Sequence, residues 1–241
     1  PRWGRVFTLS RVRGYTQRLL CGEYPQSKGL MMTLMLGDVA PDFTSETSAG
    51  EISFHDWAGD NWVVLFSHPA DFTPVCTTEL GRVAQLSEEW AKRDVKPIAL
   101  SVDSKEDHDN WISDINSYGN TTVEYPIIAD PDKKVAELYG MIHPNEGDTS
   151  SVRSVFVIDP AKKIRLTMTY PKSTGRNFDE ILRVIDALQT ADRAEVATPV
   201  DWKSGDRIVV PPTVTTDEAR DRFDDVQESF PYLRTAQIRE N

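Results

Sequence analysis

Two predominantly apolar runs constrain the fold of this chain more than any other feature. Residues 62–68 read WVVLFSH and residues 95–102 read VKPIALSV. A strand that is apolar at nearly every position is covered on both faces, as parallel strands in α/β proteins are. Helical spacing follows each run, over residues 76–93 and 104–118. We therefore predict an α/β domain whose sheet is packed between helices.

The rest of the pattern makes the predicted sheet mixed. Residues 125–129 predict a short strand, and residues 133–139 predict a short helix closed by Gly140. Two strands, at 152–158 and 164–170, are separated only by a turn, so they predict an antiparallel hairpin. A final amphipathic helix is expected at residues 177–193.

The chain divides into three parts by composition. Residues 1–35 form a basic extension, residues 36–194 the main α/β domain, and residues 195–241 a small C-terminal arm. The arm is rich in extended Pro/Val segments and holds a short acidic helix near residues 216–223. Because so short an arm can bury little by itself, we expect it to pack on the main domain or on a partner subunit.

Charge separates the start of the chain from the rest. Residues 1–31 carry six basic residues and one acid, whereas the whole chain has a net charge of -11. So acidic a chain is a poor non-specific partner for nucleic acid or anionic membrane, and no apolar run is long enough to predict stable membrane insertion. The basic start resembles a mitochondrial transit peptide. An unstructured extension, or translated sequence upstream of a start at Met31 or Met32, is an equally good interpretation. The expected compartment is cytoplasmic, or mitochondrial if residues 1–31 are a transit peptide.

The two cysteines, Cys21 and Cys76, indicate no disulfide framework and favour a reduced compartment. Cys76 has the more informative context. Thr73 is a good N-cap and Pro74 a good first helical residue, so Cys76 is predicted in the first turn of a helix just beyond a strand. Free backbone N–H groups and the positive end of the helix dipole would then lie close to its sulfur.

Magnitudes show that a helix end alone cannot make a reactive thiolate. A free thiol with a pKa of ~8.5 is only about 3% ionised at neutral pH, and lowering that pKa to ~6 needs about 3.4 kcal/mol. The helix dipole supplies ~0.3–1 kcal/mol, or ~2 in a partly buried site. A cation is therefore required, and the sequence offers Arg153 and Arg176. The alternative is that Cys76 is simply a small buried apolar residue, the commonest fate of a free cysteine.

The wider sequence around Cys76 resembles a known family. Residues 66–82, FSHPADFTPVCTTELGR, contain Pro69-x-x-x-Thr73-x-x-Cys76 and are similar to the active-site segment of the one-cysteine peroxiredoxins of the AhpC/TSA family. The likeness continues in order through residues 99–103 (ALSVD), 152–156 (VRSVF), 174–180 (TGRNFDE) and 197–202 (ATPVDW). It covers roughly residue 36 to the region around residue 210.

The resemblance implies a thioredoxin-like fold with a C-terminal arm, as a homodimer, and a peroxidase that needs no cofactor. Cys76 would be the nucleophile that reduces hydroperoxides through a sulfenic acid, and Thr73 would hydrogen-bond the peroxide. Arg153 would stabilise the thiolate, which agrees with the need for a cation. Pro69 would shield the sulfur.

Three further side chains belong to the predicted site. Glu79, three residues after Cys76, could orient Arg153 or Arg176, and a purely structural Glu79–Arg176 ion pair is weighed equally. His68 resembles a histidine that the subfamily carries beside its pocket, although a strand-end histidine is more often structural. The other histidines (His55, His108 and His143) are scattered in sequence, so no metal site is expected.

No cysteine follows Cys76, so the resemblance implies an external thiol reductant, glutathione or a thioredoxin-like protein. Two rival functions make different predictions. A redox-dependent holdase or scaffold would tolerate Cys76→Ser in a light-scattering assay. A phospholipase of the kind reported for some one-cysteine relatives would need a serine where Asn61 stands and an aspartate where Ala161 stands, with only His55 in place.

Overall fold

The two predicted apolar runs form the centre of the sheet in a computed structural model of the protein, which describes residues 34–147 and 149–239. Strand β3 (Trp62–Ser67) pairs in parallel with β4 (Val95–Ser101). The sheet is completed by β1 (Thr44–Thr47), β2 (Gly50–Ser53), β5 (Ile127–Ala129), β6 (Arg153–Ile158) and β7 (Ile164–Tyr170). Their order is β2-β1-β5-β4-β3-β6-β7, with β3, β4 and β5 parallel and the other pairs antiparallel. The predicted mixed sheet is confirmed.

Helices cover both faces of this sheet. They are α1 (Phe54–Ala58), α2 (Pro74–Gln85), α3 (Ser87–Ala91), α4 (Lys105–Gly119), α5 (Lys134–Leu138) and α6 (Phe178–Ala194). Side chains of β3 alternate between two cores: Val64 and Phe66 pack with the α2, α4 and α6 side, while Val63 and Leu65 pack with the α1 and α5 side. The continuous apolar sequence of β3 follows from this double burial, and Cys76 belongs to the α2 core.

The single helix predicted over residues 76–93 is wrong in one respect. The structure divides it into α2 and α3 at Leu86, whose backbone leaves the helical region. The buried indole of Trp90 donates a hydrogen bond of 2.9 Å to the carbonyl oxygen of Val83. An unbroken helix would use that carbonyl for the N–H of Ser87, so the indole competes directly with helix continuation.

Sequence periodicity missed the β1–β2 hairpin. Its two strands read TSET and GEIS, and only Thr47 is fully buried among these eight residues. The hairpin is placed by pairing rather than by apolar burial, because β1 joins the sheet edge through Thr47 opposite Ile128. A strand of this kind carries little of the period-two signal on which the prediction depends.

The C-terminal residues form a second, smaller sheet. It is ordered β8-β10-β9, from β8 (Ile208–Val209), β9 (Asp224–Phe230) and β10 (Leu233–Gln237), with α7 (Thr216–Arg222) beside it. A separate apolar cluster lies beneath, including Ile208, Val210 and Phe223. Arg183 of α6 donates to the carbonyl oxygen of the buried Trp202, which links the segment to the main sheet's helices.

The predictions for residues 1–31 and for Cys21 lie outside the described residues. In the part of the chain that the structure describes, no helix combines the length and the apolar character needed to cross a membrane.

Candidate active site

Cys76 is the third residue of α2 and follows β3 through a short loop. Pro74 occupies the first turn as predicted, and the Cys76 side chain is fully buried. Thr73 is the N-cap residue by position, but its hydroxyl makes no capping bond. The hydroxyl donates instead to the carbonyl oxygen of Ala70 at 2.9 Å, so the expected capping role is wrong. Because its hydrogen is used in this way, the oxygen keeps lone pairs with which it can accept a hydrogen bond.

Arg153 is the candidate cation that lies beside Cys76. It opens β6, the strand next to β3, and its Nη1 atom lies 3.4 Å from the Cys76 sulfur. The guanidinium is buried, and its Nε and Nη2 atoms both donate to the carbonyl oxygen of Lys172, at 3.0 and 2.7 Å. This fixed orientation aims one N–H edge at the sulfur, and a charge-assisted bond in a dry site is stronger than one in water.

Glu79 joins both candidate arginines. Its Oε2 atom accepts from Nη1 of Arg153 and from Nη2 of Arg176, each at 2.7 Å, and its Oε1 atom accepts from Nε and the backbone N–H of Arg176. Burial alone would raise the pKa of Glu79, but the hydrogen bonds and charges of Arg176 and Arg153 outweigh it and hold the pKa below its ordinary value. Two guanidinium groups against one carboxylate leave a net positive charge beside the Cys76 sulfur. Glu79 therefore forms ion pairs with both arginines in one cluster.

The loop between β3 and α2 carries backbone strain. Phe72 adopts a φ of 53°, a region that bulky side chains rarely enter, and about half of its side chain is exposed. Its ring lies 6.2 Å from that of Trp111. Pro69 is half-buried in the same loop. Strained residues of this type cluster at functional sites, where the surrounding structure holds them.

His68 belongs to a buried network that sequence reasoning missed. Its Nε2 atom lies 2.8 Å from Oδ1 of Asp71, and Oδ2 of Asp71 lies 2.5 Å from Nδ1 of His108. His108, treated in the sequence as a scattered histidine, therefore meets His68 through one carboxylate. A usable signal existed: His108, Trp111 and Ile115 share the spacing of the buried face of α4.

The structure groups His68, Asp71 and Asp103 closely enough that their donor atoms could hold a metal ion. Both carboxylates and the Nε2 atom of His68 already have hydrogen-bond partners. Asp71 bonds both histidines, and Oδ2 of Asp103 accepts from the Asp71 backbone N–H and the Ser101 hydroxyl, at 2.9 and 2.7 Å. A metal ion would have to displace these buried hydrogen bonds, so the group is better described as a hydrogen-bond network.

The residues of the rival lipid hydrolase do not form a reactive group. The amide of Asn61 donates to the carbonyl oxygen of Ala58, and Nε2 of His55 lies 2.8 Å from the carbonyl oxygen of Ala40. Ala161 offers no carboxylate. A histidine engaged with a backbone carbonyl and an amide in the nucleophile position cannot carry out serine-type hydrolysis.

Comparisons with known proteins cover most of the chain. The family model of the AhpC/TSA family matches residues 36–167, and that of the C-terminal domain of 1-Cys peroxiredoxin matches residues 187–225. The chain is 50% identical to the 1-Cys peroxiredoxin of Dictyostelium discoideum over 202 residues, which is 84% of this chain and 83% of the relative. It is 48% identical to "Peroxiredoxin PRX1, mitochondrial" of Saccharomyces cerevisiae over 226 residues, or 91% and 86% of the two chains.

A solved structure shares the fold. It is a yeast mitochondrial 1-Cys peroxiredoxin, described in terms of thiol resolution via glutathione/thioredoxin systems. The two structures superpose with a TM-score of 0.81 at 49% sequence identity, over 85% of this chain and 100% of the other. This similarity confirms the thioredoxin-like fold expected for the main domain.

Proposed function

The chain belongs to the AhpC/TSA family as a one-cysteine peroxiredoxin and is a thiol-dependent peroxidase, and on that premise we propose how its residues share the reaction. Cys76 is the nucleophile, Arg153 stabilises its thiolate, and Thr73 accepts a hydrogen bond from the hydroperoxide O–H. Arg176 and Glu79 fix the orientation of Arg153. The observation that carries this assignment is the buried Arg153 Nη1 atom at 3.4 Å from the Cys76 sulfur.

The chemical step balances within this site. The thiolate of Cys76 forms an S–O bond to the terminal oxygen of the hydroperoxide as the O–O bond breaks, and sulfur supplies the two electrons. The products are a sulfenic acid and an alkoxide or hydroxide, which takes a proton to leave as alcohol or water. Negative charge moves from sulfur to the departing oxygen, and the net positive guanidinium pair lies beside that path.

Mass spectrometry tests the assignment of Cys76. After one equivalent of hydrogen peroxide, the protein is expected to gain one oxygen atom at Cys76, trapped with a sulfenic-acid reagent. Cys76→Ser is the control and should gain none. Oxygen gained instead at Cys21 would overturn the assignment.

The reductant is proposed to be an external thiol. Cys21 is the only other cysteine in the chain, and none follows Cys76, so the C-terminal arm supplies no resolving thiol. The yeast relative is described as resolved via glutathione/thioredoxin systems. Glutathione or a thioredoxin-like protein would therefore attack the sulfenic acid and regenerate the Cys76 thiol through a mixed disulfide.

A homodimer is proposed on the basis of an open sheet edge. Strand β7 (Ile164–Tyr170) is the last strand of the main sheet on the β6 side. Ile164 at its start bonds the backbone of Gly37 and Asp38, and the outer edge beyond it pairs with no further strand of the described residues, so that part of the edge could pair with a second copy. The arm at residues 195–241 adds exposed aromatic groups, with the rings of Phe230 and Tyr232 stacked at 5.3 Å.

Truncation tests the role of the arm in assembly. A chain ending at Ala194 is expected to lose the dimer or become poorly soluble, because Trp202 and the arm cluster would be removed from the surface that they cover. Size-exclusion chromatography with light scattering measures the result. A soluble, dimeric truncated protein would show that the interface lies elsewhere.

The compartment is proposed as cytoplasmic, with the mitochondrion as the alternative. The alternative now has a specific observation in its favour. The mitochondrial relative from yeast aligns with 91% of this chain, further than the 84% of the Dictyostelium relative.

We predict that the pure protein releases no fatty acid from phospholipid by a serine-type reaction. Asn61 and Ala161 stand where a nucleophile and a carboxylate would be required. A fatty-acid release assay with His55→Ala and Cys76→Ser checks this. Activity that survives Cys76→Ser but disappears in His55→Ala would contradict the prediction.

A further inference from the structure

The imidazole of His68 is fully buried but has only one hydrogen-bonded nitrogen. Its Nε2 atom lies 2.8 Å from Asp71, whereas its Nδ1 atom has no partner among the residues that the structure describes. Buried polar atoms are normally paired, so an unpaired ring nitrogen in the residue that follows β3 calls for an explanation.

The protonation of the ring follows from its partner. An ionised carboxylate can only accept hydrogen bonds, so Nε2 of His68 must carry the proton that Asp71 accepts. Asp71 is ionised: burial alone would raise its pKa, but the hydrogen bonds from His108 and His68 lower the pKa to about 2. If His68 is neutral, its buried Nδ1 atom carries a lone pair that accepts no hydrogen bond from the described residues.

Burial is the main effect that keeps His68 neutral, and the positive charge of His108 adds to it. The Nδ1 atom of His108 faces Asp71 at 2.5 Å and its Nε2 atom faces the carbonyl oxygen of Ile128 at 3.1 Å. Both partners are acceptors, so both ring nitrogens of His108 must donate and the ring is an imidazolium. Burial would lower the pKa of His108, but the hydrogen bond and charge of Asp71 outweigh it and raise the pKa above its ordinary value.

The pKa values of the two histidines are therefore shifted in opposite directions, down for His68 and up for His108, although both rings bond one carboxylate. Burial lowers the pKa of His68; Asp71 opposes that effect, and the charge of His108 adds to it. Asp103 is the other charged group that acts on both rings, and it also holds the Asp71 backbone N–H at 2.9 Å. A proton on His68 would create a second cation beside His108 with a single anion between them.

His68 is tied to the catalytic site on two sides. Its carbonyl oxygen accepts from the hydroxyl of Ser151, two residues before Arg153. Its ring lies 5.4 Å from that of Trp111, whose Nε1 atom donates to the hydroxyl of Thr77, the residue after Cys76. The backbone of His68 is thus tied to the segment that carries Arg153, and its ring packs on a side chain that bonds the residue after Cys76.

We propose that Asp71 and His108 are positioning residues that hold His68 as a neutral imidazole, protonated at Nε2, so that its Nδ1 atom remains a hydrogen-bond acceptor across the neutral pH range. The effect of this arrangement on catalysis rests on the proposed function, whereas the protonation states of the two histidines do not. Because the network keeps His68 uncharged as the pH changes around neutrality, the guanidinium pair of Arg153 and Arg176 remains the cationic group at the sulfur.

Nuclear magnetic resonance of histidine-¹⁵N-labelled, full-length wild-type protein tests the ring states directly, since the chain has only four histidines. At pH 7, His68 should show a proton on Nε2 alone and His108 protons on both nitrogens. A charged His68, a His68 protonated at Nδ1, or a neutral His108 would each overturn the proposal without any variant.

His108→Gln tests the coupling. The glutamine amide can still donate to Asp71, but the positive charge is gone, so His68 should titrate at higher pH than in the wild type. The pH profile of peroxide reduction should gain an ionisation that the wild type lacks. Activity at pH 7 should fall about tenfold, by analogy with the smallest loss seen when the hydrogen-bond partner of a metal-binding histidine is removed. His143→Gln is the matched control, since His143 lies outside this network. A folded His108→Gln protein with an unshifted His68 titration would refute the coupling.

The two proposals can fail separately. A wild-type protein that does not use Cys76 would defeat the proposed function and leave the ring states unchanged. A Cys76 peroxidase with a charged His68 would defeat only the positioning role.

Discussion

Replacing Arg153 by alanine is expected to slow peroxide reduction by about 10²- to 10³-fold, the range seen when a preorganised donor at a developing charge is lost. Its Nη1 atom is the group 3.4 Å from the Cys76 sulfur, and Glu79 would then be left with Arg176 alone. Without Arg153 the cluster has one cation and one anion, so the net positive charge that favours the thiolate disappears. Stopped-flow kinetics and the pH dependence of alkylation measure the effect.

Two variants make this result specific. Arg153→Lys should recover little activity, because an ammonium group cannot bond Lys172, Glu79 and the sulfur at once as the planar guanidinium does. Arg82→Ala removes an arginine from the same helix as Cys76, where it pairs with Asp179 at the surface, and should change the rate little. If Arg153→Ala left the pH profile of alkylation unchanged, Arg153 would not be the stabilising cation.

The local structure around Cys76 could be predicted from the sequence better than its distant partners, for a physical reason. Cys76 and its helix start are local features, and the energy needed to form a thiolate required a distant cation before its position was known. The structure places the guanidinium of Arg153, which comes from β6 and is 77 residues away in sequence, 3.4 Å from the sulfur. Glu79 was expected to meet Arg153 or Arg176, and it meets both.

The parts that escaped prediction depend on competition between non-local partners. Thr73 has the right residue type and position for a cap, yet the Ala70 carbonyl takes its hydroxyl. Asp71 and His108 lie 37 residues apart, and nothing in their local sequence shows that one carboxylate will join two histidines. The helix break at Leu86 depends on where the Trp90 indole finds an acceptor. Local sequence propensity cannot predict which of several distant partners a polar side chain will bond.

Excess peroxide without reductant is expected to convert Cys76 to its sulfinic acid, while Cys76→Ser abolishes peroxidase activity altogether. The sulfenic acid has two fates, attack by a thiol or attack on a second peroxide, and the described part of the chain contains no thiol other than Cys76. Intact-protein mass spectrometry should therefore show two added oxygen atoms on Cys76. An external thiol, added before the peroxide, should suppress the second oxygen in proportion to its concentration.

Cys21 is the one residue that could change this outcome. It lies between Leu20 and Gly22 in the basic extension, and its arginine neighbours could activate it. Yet catalysis of peroxide reduction needs the reactants held in a fixed geometry, which the Arg153 and Glu79 cluster provides at Cys76. Deleting residues 1–31 should therefore leave activity with an external thiol nearly unchanged, and Cys21→Ser in the full-length chain should do the same. Quantitative formation of a Cys21–Cys76 disulfide, faster than sulfinic acid appears, would instead make the extension part of the catalytic cycle and replace the one-cysteine mechanism with a two-cysteine one.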